Sequence, residues 1–126
     1  MEDRYSGIVN GGYFKSKAEV QLARLLERNR IRYFYEHPTA VVDKGQVKIW
    51  YPDYTLPDYG MIVEYFGVHG DDYYCRQARH KKEVYEANGI EGLFLTKDCF
   101  KGDWPDRIIE QIDDVLHRRL DRFYRR

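Results

Sequence analysis

Residues 51–67 read YPDYTLPDYGMIVEYFG, and this stretch decides the interpretation of the fold. Residues 56–60, LPDYG, carry the Pro, Asp and Gly that are typical of a tight turn. The run from Met61 to Phe66 is apolar apart from Glu64, as in a central strand that is covered on both faces. Asp53 ends the strand before the turn, so the stretch predicts two neighbouring strands that bring Asp53 beside Glu64.

Glu64 shares one face of this strand with Ile62 and Phe66, because side chains alternate across a strand. A lone ionised carboxylate in an apolar strand is costly, and two converging carboxylates repel each other unless a proton or a metal lies between them. We therefore predict a divalent cation site at Asp53 and Glu64, with Mg²⁺ as the cofactor and Mn²⁺ as its substitute. Two simpler alternatives stay open: Asp53 is a turn residue after Pro52, and Glu64 pairs with an arginine from a neighbouring helix.

The rest of the chain predicts helices on the faces of a mixed sheet. Ser16 and Glu19 have the spacing of a capping box before an apolar stripe, which predicts a helix over 17–29. The other predicted strands are 31–36, a hairpin of 40–43 and 47–54 joined at Lys44-Gly45, 61–66 and 92–96. The other predicted helices are 73–88 and one after Asp103, whose apolar residues from Ile108 to Phe123 share one face. The predicted fold class is α/β, with a mixed central sheet of about four to five strands flanked by helices.

Length, charge and cysteine content restrict the class of protein. At 126 residues the chain is predicted to form one domain, 1–126, in which residues 1–12 are flexible. Its 21 basic and 21 acidic residues cancel, so attraction to nucleic acid must come from a local patch. The two cysteines suit a reducing compartment, and the sequence contains neither a membrane span nor a secretory signal. We expect a soluble, cytoplasmic protein with no membrane partner and no organic cofactor.

At Pro52-Asp53, at Glu64 in MIVEYFG and at SKAE on the first helix, the chain resembles the restriction-endonuclease-like, or PD-(D/E)XK, nuclease superfamily. The order of elements over residues 16–115 is similar as well. Within the superfamily the chain looks most like the small Holliday-junction-resolvase-type and the phage or helicase-associated nucleases. The resemblance implies a restriction-endonuclease-like core and a metal-dependent DNA endonuclease that hydrolyses phosphodiester bonds in DNA recombination or repair. It also implies structure-selective cleavage, 5′-phosphate products and a homodimer.

The main departure from the family's motif is Phe66, which stands where the family usually has a lysine. Some members carry this lysine on the following helix, and there the segment RHKKEVYEANG offers Lys81 and Lys82. The sheet-facing stripe of that helix is predicted to consist of Tyr74, Ala78 and Tyr85. Lys81 lies nearest to the centre of the stripe, so we predict Lys81 as the catalytic lysine and Lys82 as the second choice. The alternative is that both lysines are solvated and pair with nearby glutamates.

The resemblance also assigns roles to the other site residues. The groups that would hold the metal are the carboxylates of Asp53, Glu64 and Glu19 and the backbone carbonyl of Tyr65. Lys81 would orient the attacking water. Glu19 is explained equally well by the capping box. The basic second helix predicts DNA as the partner, with phosphate contacts from Arg76, Arg79 and Lys82. The alternative function is a catalytically inactive nucleic-acid-binding or assembly module of the same fold.

Overall fold

The computed structural model describes residues 8–9, 12–67 and 72–124 of the chain. The elements are β1 (Ile8–Val9), β2 (Gly12–Tyr13), α1 (Lys17–Arg28), β3 (Phe34–Tyr35), β4 (Thr39–Asp43), β5 (Gln46–Trp50), β6 (Tyr54–Leu56), β7 (Met61–Phe66), α2 (Asp72–Ala87), β8 (Glu91–Thr96), a 3₁₀ helix (Lys97–Phe100) and α3 (Trp104–Tyr124). The α/β class is therefore confirmed. Of residues 1–12, whose flexibility was predicted, the structure describes only 8, 9 and 12, so that prediction stays untested.

The central sheet has four strands in the order β3-β6-β7-β8. Strand β7 lies inside the sheet, antiparallel to β6 and parallel to β8, so the sheet is mixed as expected. The register places Tyr54 opposite Val63 and Glu64 opposite Phe94. Two further pairs, β1 with β2 and β4 with β5, form separate two-stranded sheets.

The two faces of the central sheet pack against different elements. Met61 and Val63 of β7 belong to a large core cluster built on α1 and α3. Ile62, on the opposite face of the same strand, packs in a smaller cluster with Val41 of β4 and Tyr85 of α2. The predicted alternation along β7 is confirmed, and the face that carries Glu64 is the one covered by α2 and the β4–β5 hairpin.

Helix α1 begins where the capping pattern predicts. Ser16 is the N-cap, and its hydroxyl accepts a hydrogen bond from the backbone N–H of Glu19 at 3.1 Å. A capping box also requires the Glu19 carboxylate to accept a hydrogen bond from the backbone N–H of Ser16. This part of the prediction is wrong, because the carboxylate accepts from the backbone N–H of Lys15 instead. The helix ends at Arg28, where the Asn29 side chain donates to a carbonyl of the last turn.

The predicted strand over 47–54 is wrong, because the chain leaves one sheet and enters another within it. Strand β5 ends at Trp50 and pairs with β4, whereas β6 begins at Tyr54 and pairs with β7. Pro52 lacks an N–H for the ladder, and the Asp53 N–H donates to the side chain of Glu64. These two residues break the pairing pattern and free the chain to change sheets.

The first predicted strand is shorter than expected, whereas the predicted hairpin turn is confirmed. The predicted strand 31–36 is reduced to β3, Phe34–Tyr35, because Glu36 takes a positive φ of 53° and Pro38 follows. The turn at Lys44-Gly45 is confirmed, and both residues have positive φ, 54° and 78°, as a two-residue hairpin turn requires.

Helix α3 contacts the core through only part of its predicted apolar face. Ile108, Ile112 and Val115 are buried in the large cluster. Leu120 and Phe123, farther along the same helix, are 43% and 63% exposed, so the apolar face is only partly covered at this end of the helix. None of the helices in the described part of the chain is long and apolar enough to cross a membrane.

Candidate functional site

Asp53, just before β6, and Glu64, within β7, lie side by side, and the carboxylate of each accepts a hydrogen bond from the backbone next to the other. The Asp53 N–H donates to Oε1 of Glu64 at 3.2 Å. The N–H of Tyr65, next to Glu64, donates to Oδ2 of Asp53 at 2.7 Å. The proximity expected from the sequence is confirmed, although Asp53 lies in the bend between two sheets and not at the end of a strand.

Glu64 is a buried carboxylate with few compensating charges. Its side chain is 6% exposed, and Oε2 accepts a hydrogen bond from the Tyr85 hydroxyl at 3.1 Å. The Lys81 ammonium lies 3.9 Å from the same oxygen, at the long end of the ion-pair range. Burial raises the pKa of Glu64, and the charge of Lys81 and the hydrogen bonds to Glu64 only partly oppose it.

The pKa of Asp53 is also raised. Burial, followed by the negative charge of Glu64, raises the pKa of Asp53 to about 7, although the hydrogen bond from the Tyr65 amide acts in the opposite direction. Glu19 adds a smaller repulsion, and Lys81 a smaller attraction. The pair therefore favours a state in which a proton, or a cation, lies between the two carboxylates.

The two candidate lysines occupy different positions on α2. Lys81 is half-buried, and its ammonium lies near Glu64 and 5.8 Å from the centre of the Phe66 ring. Lys82 is exposed. Phe66 stacks on Phe94 and so forms an apolar wall beside the lysine. The structure thus brings Lys81 to the carboxylate pair as the stripe predicts; the side chain of Tyr74, another predicted stripe member, lies outside the described residues.

Glu19 is buried nearby but is held by other groups. Its Oε1 accepts from the Tyr35 hydroxyl at 2.6 Å and from the Lys15 N–H at 2.9 Å, and the Tyr54 hydroxyl donates to its backbone carbonyl. Among the residues that the structure describes, no three His, Cys, Asp or Glu side chains form a group able to hold a metal ion. Glu19 therefore does not complete a cluster with Asp53 and Glu64, and its assignment as a ligand stays a prediction.

The chemistry of the Asp53–Glu64 pair fits a hard divalent cation. Both side chains offer carboxylate oxygens, the donor type that Mg²⁺ and Mn²⁺ prefer. The hydrogen bonds to Oδ2, Oε1 and Oε2 each use one lone pair, and a carboxylate oxygen has a second one to offer. The raised pKa values indicate uncompensated negative charge that a cation would neutralise. The backbone carbonyl of Tyr65 is the third donor that the sequence assigns.

The residues assigned to DNA contact lie on α2. Arg76, Arg79 and Lys82 are exposed and therefore accessible to a phosphate backbone. The formal net charge of the chain is zero. These three residues and Lys81 are nevertheless all on one helix, α2. The helix that carries them covers the side of the sheet on which Glu64 lies.

Two features of the site escaped the sequence interpretation. Tyr85 was assigned only to the apolar stripe, yet its hydroxyl donates to Glu64. Asp43, interpreted only as the end of a strand, is 5% exposed and bonds to His80 and Lys48. Strand alternation was the available signal, because Asp43 shares the covered face of β4 with Val41.

Comparison with known proteins finds no matching family model, no similar curated protein and no matching solved structure.

Proposed function

We propose that the chain is a metal-dependent endodeoxyribonuclease with a restriction-endonuclease-like core. The observation that supports this most directly is the Asp53–Glu64 pair: burial raises the pKa of both carboxylates, and the negative charge of Glu64 raises that of Asp53 further. A structural ion pair would have a cation built in at contact distance, whereas the Lys81 ammonium lies 3.9 Å from Glu64. The cofactor proposed for the pair is Mg²⁺, with Mn²⁺ as its substitute.

The chain's own residues would prepare this site before substrate arrives. The Tyr65 amide and the Tyr85 hydroxyl fix the orientation of the Asp53 and Glu64 carboxylates through hydrogen bonds. A bound Mg²⁺ would supply Lewis-acid activation of a phosphate oxygen and of a water. Asp53 must be deprotonated to bind a cation, so binding would release a proton at neutral pH.

Lys81 is proposed to act on the water and on the phosphate. Its ammonium borders Glu64 and is flanked by the Phe66 ring, so it is partly shielded from solvent. A cation in this position would orient the nucleophile and stabilise negative charge that develops on the phosphate. Phe66 then serves as a wall, and the lysine reaches the site from the next helix.

DNA is the proposed substrate because Lys81, which borders Glu64, lies on the same helix as the exposed Arg76, Arg79 and Lys82. Contacts from Arg76, Arg79 and Lys82 to phosphates would bring the backbone to Lys81 and Glu64 and would make affinity depend on salt. By resemblance to junction-resolving nucleases, we extend the proposal to branched DNA, recombination or repair, and a homodimer in the cytoplasm.

The test is cleavage of supercoiled plasmid, linear duplex and a four-way junction with Mg²⁺ or with EDTA, comparing Lys81→Ala with its neighbour Lys82→Ala. We expect metal-dependent cleavage and a kcat about 10²-fold lower for Lys81→Ala, in the range of a lost proton-transfer or charge-stabilising group. Lys82→Ala should chiefly raise KM, and more so at higher salt, because it would lose one phosphate contact.

Two results would contradict the proposal. If no DNA is cleaved under any metal condition while the protein still binds DNA, the inactive binding or assembly module becomes the better function. If Lys82→Ala rather than Lys81→Ala loses kcat, the nuclease stands but the lysine assignment is wrong.

A further inference from the structure

A cleft of about 690 Å³ adjoins the candidate site on the face covered by α2 and the β4–β5 hairpin. Its walls include Asp43, Lys48 and Trp50 from the hairpin and Arg76, His80 and Lys81 from α2. This volume lies within the range of roughly 300–1,000 Å³ that is usual for small-molecule sites. Lys81 belongs both to this wall and to the Asp53–Glu64 site, so the two sites adjoin at this side chain.

Trp50 gives this cleft a flat aromatic surface. The indole is half-buried, and in the described part of the chain its ring contacts are steep, with interplanar angles of 81° to Tyr85 and 66° to His80. Such edge-to-face contacts hold the indole in place without stacking a second ring on it. A nucleobase can stack face to face on such an aromatic side chain, because every base has a π-face.

The charges around Trp50 favour an anionic ligand. Four cations, Lys44, Lys48, Arg76 and Lys81, line the cleft against one carboxylate, Asp43. That carboxylate is already engaged, since His80 and Lys48 lie 2.9 and 3.0 Å from its Oδ2. A base on the indole would therefore have its phosphates within a mainly positive rim.

We propose that this cleft binds an unpaired nucleotide of a DNA strand whose phosphate backbone continues into the Asp53–Glu64 site. The inference rests on the proposed nuclease function and specifies its substrate as DNA with single-stranded or unstacked bases near the cleavage point. In an intact duplex the base faces are covered by their neighbours, so only an unpaired or extruded base can stack on Trp50.

The test uses the Trp104→Phe variant, which leaves Trp50 as the single tryptophan of a chain that has two. The variant is titrated without divalent metal against a 12-nucleotide oligo-dT strand, an abasic strand with the same number of phosphates, and dTMP. We expect the base-bearing strand to quench the Trp50 emission. It should bind roughly 5- to 100-fold more tightly than the abasic strand, the range for stacking of one base on an aromatic side chain.

Trp50→Ala and Trp50→Phe supply the matched variants, measured by fluorescence anisotropy of labelled strands. Trp50→Ala should bind the base-bearing and abasic strands equally, and Trp50→Phe should keep part of the preference because it keeps an aromatic face. Because Trp50 packs on Tyr85, thermal melts must show that both variants remain folded before their affinities are compared.

Equal affinity of the wild-type protein for base-bearing and abasic strands would overturn the inference, as would a base preference that survives in folded Trp50→Ala. Tighter binding of dTMP than of the strand would also overturn it, in favour of a mononucleotide site. Cleavage of a four-way junction and of a duplex with an unpaired segment is measured separately with Mg²⁺. Cleavage without base preference refutes the cleft proposal alone, and base preference without cleavage refutes the nuclease alone.

Discussion

Asp43 and Glu64 are almost equally buried, at 5% and 4% exposure, yet their pKa values shift in opposite directions. Asp43 bonds to His80 and Lys48 at 2.9 and 3.0 Å, and these hydrogen bonds lower its pKa. Glu64 has one lysine at 3.9 Å and faces Asp53, and burial raises its pKa. At Asp43 the hydrogen bonds and positive charges of its partners outweigh desolvation, whereas at Glu64 desolvation outweighs the charge of Lys81 and the hydrogen bonds.

The difference separates a structural carboxylate from one suited to binding a cation. At Asp43 the positive charge is supplied by the protein, so a metal would have to displace two existing partners. At Asp53 and Glu64 the hydrogen-bond donors orient the oxygens but leave most of the negative charge uncompensated. Such a pair is unfavourable when both groups are ionised and becomes favourable when a cation joins them.

The largest expected effect is on catalysis. Asp53→Asn keeps the size of the side chain and an acceptor for the Tyr65 amide but removes the negative charge. If Lewis-acid activation supplies several kcal/mol, its loss lowers the rate of plasmid cleavage by about 10³-fold or more. Asp43→Asn, the matched change at the other acid, should lower it by less than about tenfold, since the Asp43 carboxylate bonds to Lys48 and His80 of the neighbouring cleft. If the two variants lose cleavage rate to a similar extent, Asp53 is not distinguished from Asp43 as a metal ligand.

The second expected effect is on stability as a function of pH, in the absence of metal. The pKa of Asp53 is about 7 in the folded protein against an ordinary value of 3.8, so between these values the folded state holds more protons than the unfolded state. Stability from this group therefore falls as pH rises from about 4 to about 7 and is lowest above that. Asp53→Asn should raise the free energy of unfolding at pH 8 by roughly 2–4 kcal/mol, and by less at pH 5.

Urea unfolding at pH 5 and pH 8 in EDTA measures this difference, and Asp43→Asn again supplies the contrast. The pKa of Asp43 is lowered, so its contribution is present above pH 4 and is lost as pH falls through the folded value. Asp43→Asn should therefore destabilise the protein at neutral pH. A destabilising Asp53→Asn at pH 8 would mean that the Asp53 charge is already compensated in the folded protein.

The third expected effect is the response of thermal stability to Mg²⁺. A cation that binds only the folded state at 100 times its Kd adds about 2.7 kcal/mol, or a Tm increase of roughly 5–15 °C for a domain of this size. Differential scanning fluorimetry at pH 8 should show this increase in the wild-type protein and in Asp43→Asn, but not in Asp53→Asn. The same increase in all three proteins would place the bound metal elsewhere.

Elements and turns with a local signal could be predicted from the sequence, whereas the change of sheets between Trp50 and Tyr54 could not. The capping pattern at Ser16 and the apolar run of β7 each specify an element without reference to the rest of the chain. The break at Pro52 depends on a tertiary contact, since the Asp53 amide finds its acceptor on Glu64, eleven residues later. A strand that continued through Pro52 was therefore the natural but wrong prediction.

In the site, too, some residues could be placed by local patterns and others only by tertiary contacts. Strand alternation and helical spacing were enough to place Glu64, Phe66 and Lys81 on one face, because both periodicities are local. The partners of Asp43 lie on β5 and α2, and no local pattern links a strand-end aspartate to His80, 37 residues away. The cleft that these residues line was accordingly absent from the sequence interpretation.

The smallest expected effect concerns Asn88, which ties the hairpin to the end of α2. Its amide accepts from the Val42 N–H at 2.9 Å and donates to the carbonyls of Val42 and Val84 at 3.0 and 2.7 Å. Water can replace part of these bonds because Val42 is 50% exposed, so Asn88→Ala should cost only about 1–2 kcal/mol in urea unfolding. Amide exchange at Val42 should accelerate, while duplex cleavage with Mg²⁺ should stay near the wild-type rate, because Asp53 and Glu64 are bonded to each other's strands and not to the hairpin. A large loss of cleavage in Asn88→Ala would show that the hairpin positions the carboxylate pair, and the two acids would then belong to one coupled site.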